Sequence, residues 1–354
     1  MGVTLAGALM RAWTHRGPLA WLLLPVSVLY GALAAVRRQL YRWRIIPSRP
    51  VNACVIVVGN VVAGGAGKTP TVIALVRHLQ TLGYRVGVVS RGFGRQSEVC
   101  RAVDAEATAQ EVGDEPLLIQ RSTGAPVFVG RDRSQAARAL LACQPQIEVI
   151  VCDDGLQHYG LCRDLDICVF DDRGCGNGWL LPAGPLREPW PRRGVEAAGQ
   201  SAARLLVLKT SGAATVGQFS AQRALSPVAK DRHGAITPLA ALNTPGQRPV
   251  LAVAGIARPE VFFTMLRESG VVLAKTQPLP DHHDFRPVDA TSWSGYQVVC
   301  TEKDAPKLWS VVPDALSVAL EQTIEPAFLA AVEQHIAAGR ARPIASRLSS
   351  PHGH

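Results

Sequence analysis

Val55-Ile56-Val57-Val58-Gly59-Asn60-Val61-Val62-Ala63-Gly64-Gly65-Ala66-Gly67-Lys68-Thr69-Pro70 runs from an apolar strand pattern into a glycine-rich loop closed by Gly-Lys-Thr. Glycines let backbone N–H groups close around phosphate oxygens, the lysine offsets their charge, and the threonine hydroxyl suits Mg²⁺. A strict G-x4-G-K-[ST] pattern has glycine at position 62, where Val62 stands; Gly64, Gly65 and Gly67 supply the freedom instead. A plain turn could carry the same letters. The strand before and the helical pattern after favour a nucleoside-triphosphate site built by Gly64, Gly65, Ala66, Gly67, Lys68 and Thr69.

Outward from this loop, apolar Val72, Ile73, Leu75, Val76 and Leu79 predict a helix over 71–82 that Gly83 ends. Strands are expected at 84–90, 147–154, 165–171 and 204–208, with a helix at 132–143. Near-continuous apolar strands alternating with helices describe a parallel sheet covered on both faces. Residues 210–237 lack a period and read as a connection or small insertion. A second unit follows, with strands at 250–254, 271–276 and 297–300 and helices at 259–269 and 326–338. The expected fold is α/β: a P-loop NTPase-like domain over 49–236, a smaller α/β domain over 237–345, and a tail over 346–354.

Residues 1–48 stand apart. No charge interrupts Gly17 to Val36, long enough as a helix for the hydrocarbon of a bilayer, although Pro25 and Gly31 disfavour a straight span. No Asp or Glu precedes Glu98, while Arg11, Arg16, Arg37, Arg38, Arg42, Arg44 and Arg49 crowd this end of a chain of net charge +9. A signal peptide or a buried core helix would satisfy the apolar run alone. The arginines beside it favour a membrane-associating helix, embedded or spanning, on anionic headgroups. No nucleic-acid motif accompanies the charge, so a nucleic-acid partner ranks last, and no obligate protein partner is evident. The eight cysteines include no C-x-x-C pair, and several sit in apolar runs, which reads as reduced, buried cysteine rather than metal or disulfide chemistry.

Three further clusters carry chemistry. Asp153-Asp154 end an apolar strand, where acids of P-loop enzymes serve Mg²⁺ directly or through water. Gln157 and His158 follow in the same turn and could face the nucleotide. Asp114, in Gly113-Asp114-Glu115-Pro116, could accept a hydroxyl proton or simply cap the next helix, and spacing favours the cap. Asp281-His282-His283-Asp284 could orient a base, bind metal or be a surface loop; no matching ligand set speaks for metal.

In order along the chain these strings resemble one family, the tetraacyldisaccharide 4′-kinases of Gram-negative bacteria. The resemblance runs through Gly59-Asn60 and Gly64–Pro70, Ser90-Arg91-Gly92-Phe93-Gly94, Gly113–Pro116 and Asp153-Asp154-Gly155-Leu156-Gln157-His158. It continues through Gly176-Asn177-Gly178, Leu181–Glu188, Ala254-Gly255-Ile256, Asp281–Asp284 and Thr301-Glu302-Lys303-Asp304. It implies ATP- and Mg²⁺-dependent phosphorylation of the 4′-hydroxyl of a lipid A precursor, a glycolipid met at the cytoplasmic face of the inner membrane. By that resemblance Lys68 contacts the β- and γ-phosphates, while Thr69, Asp153 and Asp154 serve the metal. Asp114 becomes the base, a histidine of the 282–283 pair, taken as His282, supports it, and Arg91 contacts phosphate or substrate. The rival reading is a membrane-associated P-loop ATPase switch that makes no phosphorylated product.

Overall fold

The structure is a computed structural model that describes residues 5–104, 106–191, 205–210 and 218–340. Two helices lead, α1 (Leu5–Thr14) and α2 (Pro18–Arg42). The first half of the body then contains β1 (Cys54–Gly59), α3 (Lys68–Thr81), β2 (Val86–Ser90), β3 (Arg101–Val103), α4 (Ala109–Val112), α5 (Asp114–Thr123), β4 (Val127–Val129), α6 (Arg133–Cys143), β5 (Val149–Asp153), β6 (Leu165–Phe170) and β7 (Leu205–Lys209). Its strand order is β7-β6-β1-β5-β2-β4-β3, parallel except at the β3 edge. β1 is central because every one of its residues is buried, with Val58 in register with Asp153 of β5. Continuous burial on both faces is what a run of Val and Ile without alternation requires.

The second half follows as β8 (Phe219–Lys230), β9 (Ile236–Pro238), β10 (Val250–Ala254), α7 (Pro259–Glu268), β11 (Leu273–Pro278), α8 (Pro287–Ser292), β12 (Gln297–Thr301), α9 (Ala305–Leu308), β13 (Leu316–Ile324) and α10 (Pro326–Arg340). Strands β11-β10-β12-β13 are parallel, and β13 pairs antiparallel with β8. The stretch 210–237, read from sequence as an aperiodic connection, thus contains a strand of 12 residues. Phe219 and Ser220 pair with β7, and the residues from Ala221 onward pair with β13, so β8 joins the two sheets. Its signal was weak because burial does not alternate along it and Pro227 interrupts it. A register shift opposite Val318 and Leu320 lets the ladder accept that proline.

The core confirms the joining. Val72, Leu75, Val76 and Leu79 of α3 cover one face of the first sheet, together with Phe328, Val332 and Ile336 of the last helix. α6 covers the other face through Ala136, Ala137 and Leu140. Val62 is buried in this second cluster, which gives the unexpected valine of the phosphate loop a packing role. Open parallel sheets bind ligands at the carboxyl ends of their strands, and the carboxyl ends of both halves face the same junction. There Gly255, just after β10, accepts the backbone N–H of His282 and donates its own to Asp304, just after β12.

Candidate active site

The phosphate loop joins β1 to α3. Gly64 and Gly67 take φ of +93° and +83°, which only glycine adopts without strain. Asn60 braces the turn: its amide donates to the carbonyls of Val62 and Gly64, and its Oδ1 accepts from Lys68 Nζ at 3.2 Å. Arg173 donates to the carbonyls of Ala63 and Gly65, and Arg223 to that of Ala66. Among the described residues no acceptor engages the backbone N–H groups of Gly64, Gly65, Ala66 and Gly67. A loop with its carbonyls tied outward and its donors unspent fits a polyphosphate.

Two acids stand beside it. Asp153 is fully buried; its Oδ2 accepts from Ser90 Oγ at 3.1 Å, while Oδ1 has no protein donor. Burial, reinforced by Glu115 and Asp154, pushes its carboxyl up despite Lys68. Asp154, at φ +48°, lies 3.7 Å from Lys68 and 3.1 Å from Arg187. Burial opposes its ionisation, but those two cations outweigh the cost and hold it below the ordinary value. An orphaned buried carboxylate oxygen within electrostatic reach of Lys68, on the phosphate loop that also carries the buried Thr69, fits a small hard cation. Mg²⁺ characteristically takes one or two carboxylates and completes its shell with waters and nucleotide phosphates.

The residues after this pair are already engaged. Gln157 Nε2 donates to Glu188 at 2.8 Å and to the Asn60 carbonyl at 3.2 Å. His158 lies 3.3 Å from Asp132, which caps α6. Burial and the neighbouring Arg133 push its imidazole down to about 4, against the pull of Asp132. Arg91 is exposed at the end of β2.

Asp114 begins α5, directly after Gly113 at φ +92°. A Cβ on Gly113 would meet the Phe93 carbonyl oxygen at 2.9 Å, so the two glycine loops pack backbone to backbone. Asp114 is buried, and its Oδ2 lies 2.8 Å from His282 Nδ1, across a sequence separation of 168. Lys307 Nζ approaches the same carboxylate at 2.9 Å from Oδ1 and 3.0 Å from Oδ2. Burial works to raise the Asp114 pKa, but His282 and Lys307 together lower it below the ordinary carboxylate value. His283 instead faces Asp289 at 3.2 Å and packs against Phe285. The carboxylate is thus buried between the start of α5 and the second half, which supplies His282 and Lys307.

Sequence reasoning quoted Asn60, Ser90 and Arg187 inside its motifs without giving them roles. Arg223 and Lys307 carried no local signal, because each meets its partner only through the fold; Arg173 pairs locally with Asp171 but reaches the phosphate loop only through the fold.

This fold and site define a P-loop α/β phosphotransferase whose acid–histidine pair spans two halves. Residues 19–337 match the model of the family described as tetraacyldisaccharide-1-P 4′-kinase. The chain belongs to that family. It is 51% identical to the tetraacyldisaccharide 4′-kinase of Polaromonas naphthalenivorans (strain CJ2), over 98% of each chain. It is 51% identical to that of Acidovorax ebreus (strain TPSY), over 94% of this chain and 95% of the relative. The crystal structure of LpxK from Aquifex aeolicus in complex with ATP matches with a TM-score of 0.73 at 26% identity, covering 90% of this chain and 99% of that one.

Proposed function

We infer that this protein is an ATP-dependent lipid kinase acting on the 4′-hydroxyl of a tetraacyldisaccharide 1-phosphate in lipid A synthesis. The observation that carries the reading is the buried Asp114–His282 pair, held where the second half closes on the phosphate-loop half. As the sugar oxygen bonds to Pγ, the bond from Pγ to the β–γ bridging oxygen breaks, its electrons leave with ADP, and the hydroxyl proton passes to Asp114. A carboxylate of ordinary or lowered pKa suffices, because the transition state is loose and the proton is needed late. Lys68 and the N–H groups of residues 64–67 hold the β- and γ-phosphates. Thr69, Asp153 and Asp154 would hold Mg²⁺, which when bound offsets charge on the phosphate oxygens. Gln157 and His158 shape the wall next to Asn60, and Arg91 is placed to meet the substrate phosphate.

The leading helices support a reading in which the enzyme sits on a membrane surface. α2, at 25 residues, is long and apolar enough to cross a bilayer. It is no core helix, since Ala20 and Ser27 alone are buried among its described residues. It is fastened to the body along its length, by Trp21 on Trp179, Ser27 Oγ under the Ala183 N–H, Tyr30 on the Arg187 carbonyl and Arg37 on the Gln157 carbonyl. Gly31 lets the helix approach Leu180, where a Cβ would sit 2.6 Å from the side chain. These contacts extend over about 24 Å of helix axis. A helix tied down that way lies in the interface, with Leu22, Val26, Leu29, Leu33 and Val36 turned to lipid. ATP supply and the basic flank favour the cytoplasmic face of the inner membrane for that interface.

The test is transfer from γ-labelled ATP to tetraacyldisaccharide 1-phosphate in detergent micelles, with Lys68→Ala as control. Labelled lipid formed by the native protein and absent from the control is expected. Phosphate released without labelled lipid would turn the reading to an ATPase switch.

A further inference from the structure

Lys307 follows Asp304 by three residues on the short helix α9. That turn is rigidly set: Asp304 Oδ2 accepts from the Gly255 N–H at 3.0 Å and from Thr301 Oγ1 at 2.7 Å, and Leu308 is fully buried. The ammonium is thereby delivered to both oxygens of Asp114, whose side chain is only 5% exposed. A buried carboxylate deprived of its counter-charge is costly, and it takes up a proton more readily than an exposed one.

We propose that Lys307 is a positioning residue for the phosphoryl-transfer base, the counter-cation that keeps the buried Asp114 carboxylate ionised and oriented. This rests on reading Asp114 as the base. The geometry also assigns the two oxygens. Oδ2 takes both His282 Nδ1 and Lys307, whereas Oδ1 takes Lys307 alone. A carboxylate oxygen has two lone pairs, so Oδ1 keeps one for the sugar hydroxyl.

The remaining charges around this group are accounted for. Lys303 Nζ lies 3.1 Å from Asp281 and 3.5 Å from His282 Nε2, facing the ring nitrogen opposite the base. His282 with its proton on Nδ1 satisfies both neighbours. Asp284 lies 3.8 Å from Lys307 on its more exposed side. The charge of Asp114 pushes up the pKa of Asp304, which stands at the N-cap of α9. Lys307 therefore stands as the direct cationic partner of Asp114. Without it, burial is the largest influence left on that carboxyl and acts upward, opposed by His282 and the more distant Lys303.

The experiment compares pH profiles of kcat/KM for the native enzyme, Lys307→Met, Lys307→Arg and Asp114→Asn, with ATP binding and thermal unfolding as controls. The acidic limb reports ionisation of the base in the free enzyme. For Lys307→Met we expect the limb about one pH unit or more higher, giving roughly a tenfold deficit on the acid side of both limbs that largely closes within about two pH units above the displaced limb. Lys307→Arg keeps the charge and should leave the limb at the native position. A uniform loss at every pH, or an unmoved limb in Lys307→Met, overturns the proposal and makes Lys307 a packing residue. Should Lys307→Met not fold, a raised limb in Lys307→Arg overturns it equally. Asp114→Asn is expected to be inactive throughout; near-native turnover there would remove the base reading itself, a failure distinct from that of Lys307.

Discussion

Gly113→Ala tests how the base is aimed without touching its chemistry. Gly113 has φ +92° and ψ 152°, a region essentially reserved for glycine, and an added Cβ would stand 2.9 Å from the Phe93 carbonyl oxygen and 3.1 Å from Gly92 atoms. The backbone term alone costs about 1–3 kcal/mol. The contacts are with main chain, so no side-chain rotation relieves them. A loss of about 2 kcal/mol lowers the unfolding midpoint by roughly 4–8 °C in a domain of this size. Relief has to come from moving the start of α5, and Asp114 is its first residue. A misplacement on the order of 1 Å at a reacting group can cost about a hundredfold in rate. ATP affinity should hold, because Asn60 and the phosphate loop lie between β1 and α3, and Lys68 begins α3, apart from the start of α5. The assay pairs labelled-lipid formation with nucleotide binding and thermal unfolding. A lowered midpoint with kcat within about twofold of native would show that Gly113 serves folding only, and the aiming argument would fail. An unchanged midpoint would refute the strain argument as well.

Arg187→Ala removes a cation 3.1 Å from Asp154 and should raise the Asp154 pKa while lowering the Mg²⁺ concentration needed for half-maximal rate at neutral pH, because the competing charge is gone; an unchanged Mg²⁺ titration would count against that pairing. His158 is pushed down to about 4, whereas an unfolded histidine titrates near 6.5. The unfolded chain therefore binds the extra proton first, and stability falls as pH drops through that window. His158→Gln should flatten the fall, read as urea midpoints at neutral and acidic pH; an identical slope would exclude His158 as its source. Spin labels at Leu22→Cys, Leu29→Cys and Val36→Cys, on one face of α2, should report equal shallow depth in anionic vesicles. A central label much deeper than the outer two would mean a spanning helix.

The local signals in this chain were strong where one segment contains its own explanation. An unbroken apolar run must be buried on both faces, so β1 and β5 were legible, and glycines before Gly-Lys-Thr announced a phosphate loop. The ordered strings carried the family. Asp114 illustrates the limit: its spacing pointed to a helix cap, and only the resemblance suggested a base. Strand β8 stayed hidden because its burial pattern has no period of two and a proline breaks it.

By itself, then, the sequence determined a parallel α/β fold, a nucleotide loop, a basic apolar leader and a pair of acids at a strand end. Tertiary structure alone decided which histidine meets Asp114, that Lys307 joins it from 193 residues away, and that α2 is fastened along the body. The physical reason is range. Backbone freedom and hydrophobic period are properties of neighbouring residues, whereas a charge pair between two carboxyl-end loops exists only once both sheets have twisted those loops to the same junction.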